Sequence, residues 1–163
     1  TTQADAAGAW GFVQYQDPAH KYVVTRGQLL DDLCILMGGR EAEQLLLEDL
    51  SIGSADDLRR ATNIARALVE EFGMGGEGVG ACRYEADDNG PPGRYRQLSP
   101  SQLEALDRRV RELLEEARQR AAALLAERQT LVETLRDLLL EKKVLDAKTL
   151  STLTGLPLKS SEE

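Results

Sequence analysis

Histidine is almost missing from this sequence of 163 residues, in which His20 is the single example. A Ser-His-Asp triad needs a histidine beside its serine, and a multi-histidine zinc site needs at least a pair. His20 follows Asp17, Pro18 and Ala19, which are residues typical of a turn. The chain alone can therefore build neither kind of site, and we expect His20 to be solvated.

Several other signatures are absent from the sequence. Cys34 and Cys82 form no CxxC pair, and Cys34 lies within an apolar helical pattern that predicts its burial. No apolar run approaches the roughly 20 residues of a transmembrane helix. The first residues carry no basic segment followed by an apolar one, and neither GxGxxG nor GxxxxGK[ST] occurs. We expect no membrane span or targeting signal in the chain as given, and no dinucleotide or P-loop site.

Positive charge is also in short supply. The sequence has 20 Lys and Arg against 28 Asp and Glu, which gives a formal net charge of -8. This balance argues against non-specific binding of nucleic acid or of an anionic membrane surface. The predicted partners are other protein surfaces, with no nucleic acid and no direct membrane contact by this segment.

The start of the chain favours a short strand followed by a helix. Residues 1–8 are small and polar and are predicted to be disordered, whereas residues 9–15 alternate and are rich in aromatic side chains, as in a strand. Thr25 and Gln28 then have the spacing of a capping box, which predicts a helix start. Inside this helix Gly38-Gly39 is costly, so we expect close packing or a bend there.

The remainder of the chain favours further helices on both sides of a loop. Residues 74–99 contain six glycines and two adjacent prolines, and are predicted to be a flexible loop. The tail, residues 156–163, is predicted to be disordered. The second predicted helix runs from Ser54 as N-cap to about Phe72, with Phe72 on its apolar stripe. The later predicted helices run from Pro100 along an apolar stripe to about Leu124, through a second stripe from Leu131 to Leu139 that could fold back as a hairpin, and from Ala147 to Leu153 with Asp146 as N-cap.

Asp56 and Asp57 open the second predicted helix. A carboxylate in the first turn either caps exposed N-H groups or binds a metal, and the residues alone favour capping. Glu41, Glu43 and Glu48 lie on a helix surface, and a solvated face accounts for them. From the residues alone the chain is mainly α with a small strand element at its start.

Six segments follow one another in the sequence: Ala9-Trp10-Gly11-Phe12-Val13-Gln14-Tyr15, Thr25-x-x-Gln28-Leu29-Leu30-Asp31, Gly38-Gly39-Arg40-Glu41-Ala42-Glu43, Gly53-Ser54-Ala55-Asp56-Asp57-Leu58-x-x-Ala61-Thr62-x-x-Ala65, Phe72-Gly73-Met74 and Leu139-Leu140-Glu141-Lys142-Lys143-Val144-Leu145-Asp146. In this order they resemble the peptidase domain of FtsH-type ATP-dependent zinc metalloproteases, from about Ala9 to Leu153. The resemblance implies the helical bundle of that peptidase domain, with a small β remnant near the N-terminus and a C-terminal helical hairpin. Residues 9–73 would hold the substrate strand and the third zinc ligand, and residues 100–155 would form the C-terminal helical region.

The resemblance also implies a metal ligand and a substrate-binding strand. Asp57 matches the aspartate that joins the HExxH histidines at zinc, whereas Asp56 does not. Gly11, Phe12, Val13 and Gln14 match the strand beside the active site, where an extended substrate adds as another strand.

The chain departs from the family at HExxH, which is absent, so no catalytic residue is assigned. One carboxylate cannot hold a catalytic zinc ion, which takes about three protein ligands. We therefore expect zinc in the intact parent only, ATP and Mg²⁺ through an ATPase module missing from this sequence, and neither cofactor nor activity for the chain alone.

Three hypotheses remain open from the sequence. The favoured one is part of the proteolytic domain of an ATP-dependent zinc metalloendopeptidase that degrades unfolded or membrane proteins. The alternative is a non-catalytic FtsH-like subunit or interaction module that has lost HExxH. The third and least favoured is an unrelated helical scaffold whose resemblance is accidental. The resemblance implies polypeptide substrates, neighbouring subunits of a homo- or hetero-hexamer, and a soluble domain of a membrane-anchored protein on the cytoplasmic side in bacteria or its organellar equivalent.

Overall fold

The computed structural model describes residues 23–84 and 98–155, and these residues are mainly α-helical, as the sequence predicts. No strand occurs within these two ranges. The predicted strand, with Gly11, Phe12, Val13 and Gln14, and the tail lie outside them. The elements are α1 (Arg26–Leu47), a 3-10 turn (Ile52–Ser54), α2 (Ala55–Arg66), a π-helical turn (Ala67–Glu71), α3 (Pro100–Glu127), α4 (Gln129–Lys142) and α5 (Ala147–Thr154).

Helix α1 begins at the predicted capping box. The Gln28 amide N-H donates to Thr25 Oγ1 at 3.3 Å, and the Thr25 amide N-H donates to Gln28 Oε1 at 2.9 Å. The helix then continues unbroken through Gly38 and Gly39 to Leu47. A Cβ at either glycine would meet no described atom within 4 Å. The close packing predicted for this glycine pair is therefore not found in the part of the chain that the structure describes.

Residues Val24–Ala126 form one compact unit around a shared apolar core. Its largest fully buried side chains include those of Leu33 of α1, Leu68 of the π-helical turn and Leu113 of α3. Ala61 and Ala65 of α2 are also fully buried, and their small side chains allow α2 to pack closely. The other buried apolar residues are Cys34, Leu36, Met37, Val69, Val79, Leu106, Val110, Ala117 and Ala121. The predicted burial of Cys34 is confirmed, as is the middle of the α3 stripe.

The π-helical turn changes which residues face this core. The Phe72 amide N-H donates to the Ala67 carbonyl, five residues back, at 2.9 Å. Because a π turn holds more residues than an α turn, positions after it rotate out of the α-helical stripe. Three successive residues, 68–70, are buried, whereas Phe72 is 50% exposed. The predicted place of Phe72 on the buried stripe is therefore wrong.

The chain after the π-helical turn lies against the core. The Met74 amide N-H donates to the Leu68 carbonyl at 2.8 Å, and the Tyr84 amide N-H donates to the Glu70 carbonyl at 2.7 Å. From α3, Arg109 Nε donates to the Gly75 carbonyl at 2.6 Å. Residues 74–84 are thus tied to the compact unit, while residues 85–97 lie outside the described ranges, so the flexible 74–99 loop stays a prediction.

Helices α4 and α5 belong to a second compact unit. No residue of either helix is buried. Asp146 Oδ1 accepts from the Thr149 amide N-H at 2.8 Å, and α5 ends at Thr154, with Gly155 at φ +68° as its C-cap. The predicted last helix is confirmed to within one residue. The hairpin arrangement of the C-terminal helices stays a prediction. Across residues 23–84 and 98–155, no helix is both long and apolar enough to cross a bilayer.

Replacing Gly39 by Ala should stabilise the chain. Gly39 is exposed inside α1 and has open space around its Cβ position, so alanine removes backbone freedom from the unfolded chain without a clash. We expect Gly39→Ala to raise the free energy of unfolding by about 0.5 to 1 kcal/mol. Urea denaturation followed by circular dichroism measures this change.

Gly75→Ala is the matched comparison, because its added Cβ would lie 2.6 Å from Val79 Cγ2 and 3.2 Å from Val69 Cγ2. Overpacking of this kind should lower the free energy of unfolding by about 1 to 3 kcal/mol. If Gly39→Ala also destabilised the chain, the open surroundings of Gly39 would be contradicted.

Candidate metal-ligand site

The candidate ligand Asp57 follows a tight turn between α1 and α2. Ser51 Oγ accepts from the Gly53 amide N-H at 3.0 Å and so caps the 3-10 turn. Ser54 occupies the N-cap position of α2, but its side chain makes no capping hydrogen bond. Its backbone, with φ −86° and ψ 5°, lacks the extended conformation of an N-cap serine. The capping hydroxyl is thus that of Ser51, and the predicted side-chain cap by Ser54 is wrong.

Glu43 fastens this turn to α1. Its Oε2 accepts from the Ser51 amide N-H at 3.0 Å, and its Oε1 accepts from the Ser51 hydroxyl at 2.9 Å. Interpreting Glu43 as part of a solvated face missed this contact. The sequence signals this contact only weakly. A glutamate in a helix and a serine a few residues after that helix meet only if the connecting segment turns back toward the helix.

Asp56 and Asp57 lie in the first turn of α2 in different surroundings. Asp56 accepts a hydrogen bond from Arg59 Nη2, and the hydrogen bond and charge of Arg59 hold the pKa of Asp56 below its usual range. The Asp57 side chain is 44% exposed, and its Oδ1 lies 3.9 Å from Arg60 Nη1. A 3.9 Å separation is too long for a hydrogen bond. Asp56 is therefore hydrogen-bonded within its own helix, whereas Asp57 forms no hydrogen bond with Arg60.

The described residues do not form a zinc site by themselves. Within residues 23–84 and 98–155, no three His, Cys, Asp or Glu side chains converge to hold a metal ion. A catalytic zinc ion takes about three protein ligands and keeps a further position open. Asp57 can supply one of these ligands, so we assign no catalytic step to the described residues.

Two other carboxylates are buried rather than solvated. Glu41 is 6% exposed, and its Oε2 lies 3.1 Å from Arg118 Nη1 of α3. Glu70 is also 6% exposed, and its Oε1 lies 2.9 Å from Arg66 Nη1. The solvated face expected for Glu41 is therefore wrong. Its position four residues after buried Met37 was the signal, since positions four apart share a helix face.

Comparison with known proteins gives consistent matches over nearly the whole chain. Residues 5–153 match the model of "Peptidase family M41". The ATP-dependent zinc metalloprotease FtsH of Ralstonia pickettii (strain 12J) is 40% identical over 149 residues, which cover 87% of this chain and 21% of that protein. The mitochondrial inner membrane m-AAA protease component AFG3L2 of Mus musculus is 37% identical over 145 residues, with coverages of 89% and 18%.

A further relative is the ATP-dependent zinc metalloprotease FtsH of Thermus thermophilus. It is 36% identical over 141 residues, which cover 85% of this chain and 22% of that protein. The chain thus spans about a fifth of the length of the curated relatives it matches.

Removing the Arg59 guanidinium should raise the pKa of Asp56 toward its ordinary value. We expect Arg59→Gln to produce this rise because Arg59 supplies both the hydrogen bond and the larger favourable charge, and ¹³C NMR titration of the carboxyl group measures it. Because folding lowers the pKa of Asp56, this carboxylate stabilises the folded chain fully at pH values above its pKa in the unfolded chain. That contribution is lost as the pH falls through its pKa in the folded chain.

Arg60→Gln is the matched control for this titration. Arg60 lowers the pKa of Asp56 only through its charge, and this is the smallest of the effects on that pKa. Arg60→Gln should therefore raise the pKa of Asp56 less than Arg59→Gln does. Equal pKa values of Asp56 in the two variants would contradict the assignment to Arg59.

Proposed function

The chain belongs to peptidase family M41, and we propose that it is part of the proteolytic domain of an ATP-dependent zinc metalloendopeptidase. In this proposal Asp57 is one zinc ligand, and the other ligands come from an HExxH helix elsewhere in the full-length protein. The proposed substrates are unfolded or membrane proteins. The chain alone, with one candidate ligand and a single histidine, is proposed to be inactive.

The observation that carries this proposal is the contrast between the two aspartates at the start of α2. The residue match favours Asp57, and the contacts favour it independently. Asp56 already accepts a hydrogen bond from Arg59 through Oδ1, whereas Asp57 meets Arg60 only at 3.9 Å. A metal ion would therefore compete with an arginine for one oxygen of Asp56 but not for either oxygen of Asp57, which supports Asp57 over its neighbour.

The same proposal extends to substrates, partners and location. Residues Gly11, Phe12, Val13 and Gln14 are proposed to pair with an extended polypeptide by main-chain hydrogen bonds, which tolerate many sequences. We propose neighbouring subunits of a homo- or hetero-hexamer as partners, ATP and Mg²⁺ at a separate ATPase module, and a membrane anchor outside this segment. The net charge of -8 supports protein partners rather than nucleic acid.

The proposed division of the chain follows the same lines. Residues 9–73 are proposed to carry the substrate strand and Asp57, and residues 100–155 to form the C-terminal helical region. The compact unit Val24–Ala126 supports a common framework for α1, α2 and α3. Residues 74–99 remain proposed as a connecting loop.

Asp57→Ala in the full-length protein should remove bound zinc and peptidase activity. We expect casein cleavage to fall by more than about 100-fold, because loss of a direct ligand exceeds the 10- to 100-fold cost typical of outer-shell partners. Zinc content by atomic emission and cleavage of fluorescent casein are the two measurements.

Asp56→Ala is the matched control, since it removes the adjacent carboxylate from the same helical turn and should retain zinc and most activity. Unchanged zinc content in Asp57→Ala would contradict the ligand assignment. If the full-length reading frame has no HExxH and the protein does not cleave casein, the non-catalytic subunit replaces the protease as the conclusion.

A further inference from the structure

Three hydrogen bonds in series connect α1 to the turn before Asp57. Glu43 Oε2 accepts from the Ser51 amide N-H at 3.0 Å, Glu43 Oε1 accepts from the Ser51 hydroxyl at 2.9 Å, and Ser51 Oγ accepts from the Gly53 amide N-H at 3.0 Å. Because the Ser51 hydroxyl donates its proton to Glu43, its lone pairs are left to accept from Gly53. The carboxylate of Glu43 therefore orients both backbone donors of the turn.

Gly53 is packed against this series. A Cβ at Gly53 would lie 3.1 Å from Ser51 Oγ and 3.7 Å from Glu43 Oε1. Its φ is not in the left-handed region, so the need for glycine is one of space rather than of backbone conformation. The close approach of the Gly53 backbone to Ser51 is thus part of the same arrangement.

The turn passes directly into the helix that carries Asp57. The Ala55 amide N-H donates to the Ile52 carbonyl, and α2 starts at Ala55, two residues before Asp57. Backbone hydrogen bonding is therefore continuous from Gly53 to the first turn of α2. Because the side chain of Asp57 meets Arg60 only at 3.9 Å, that contact fixes it weakly. The turn therefore fixes the backbone from which the Asp57 side chain extends.

We propose that Glu43 is a positioning residue for Asp57, which it holds in place through Ser51 and Gly53. This inference rests on the proposed function, in which Asp57 is a zinc ligand. Glu43 itself binds no metal in this scheme. It fixes the start of α2 so that the ligand carboxylate meets its partners without rearrangement, which is the general role of outer contacts around a metal site.

Hydrogen exchange of the whole chain tests the local part of the inference. In Glu43→Ala, the amide protons of Ser51 and Gly53 should exchange about fivefold faster or more, because each loses a bond or the group that orients its acceptor. Glu43→Gln keeps one acceptor oxygen and should restore part of the protection at Ser51. Gly53→Ala should speed exchange at Ser51, because its Cβ crowds the Ser51 hydroxyl.

Zinc affinity of the full-length protein, measured by competition with a chelator, tests the positioning part. We expect Glu43→Ala to weaken zinc binding about 10-fold, with partial recovery in Glu43→Gln. The matched control is Glu104→Ala, which removes an exposed glutamate from α3 and should change neither zinc affinity nor exchange at Ser51 and Gly53.

The outcomes separate this inference from the proposed function. Unchanged exchange at Ser51 and Gly53 in Glu43→Ala would overturn the inference. The inference would also be overturned if Glu43→Ala sped exchange at these amides but left zinc affinity unchanged while Asp57→Ala abolished zinc binding. Glu43 would then stabilise the turn without positioning the ligand. If Asp57→Ala leaves zinc affinity unchanged, the ligand assignment itself fails, and the positioning role fails with it.

Discussion

Burial of three leucines from separate helical segments is the interaction on which the compact unit depends. Leu33, Leu68 and Leu113 come from α1, the π-helical turn and α3, and all are fully buried. Each such side chain contributes about 1.5 to 3 kcal/mol when removed from water. The exposed ion pairs, such as Arg59 with Asp56, are screened by solvent and contribute much less than such a burial. Apolar contact therefore holds α2 in place, and the charged contacts adjust its ends.

Buried carboxylates restrict how the helices of this unit can pack. Glu41 of α1 pairs with Arg118 of α3, and Glu70 pairs with Arg66, whose Nη2 lies 3.5 Å from Asp107 of α3. Leaving the buried charge of Glu41 without its partner is expensive, so a shift of α3 along α1 would be penalised at the Glu41–Arg118 pair. The leucines supply the attraction, and this pair favours one register of α3 against α1.

Local signals in the sequence predict the helix ends well where the partners are close in the chain. The capping boxes and caps at Thr25 and Asp146 join residues three positions apart, and the structure confirms both. The π-helical turn was not predictable in this way, because it coincides with the contact between Tyr84 and Glu70, far apart in sequence. Phe72 was misplaced for that reason. Ser54 occupies the predicted N-cap position, but its side chain does not cap α2, because the chain enters this helix from a 3-10 turn and not in an extended conformation.

The candidate site could be predicted only in part from local sequence, because its side-chain contacts are seen only in the structure. Neighbouring residues on an α-helix point about 100° apart, so Asp56 and Asp57 cannot share one environment. Each has an arginine three residues ahead, yet Arg59 forms a hydrogen bond with Asp56 while Arg60 stands 3.9 Å from Asp57. The sequence shows two equivalent pairs, and only side-chain geometry separates them. The same turn of α2 thus binds one carboxylate to an arginine of its own helix and leaves the next beyond hydrogen-bond distance of the equivalent arginine.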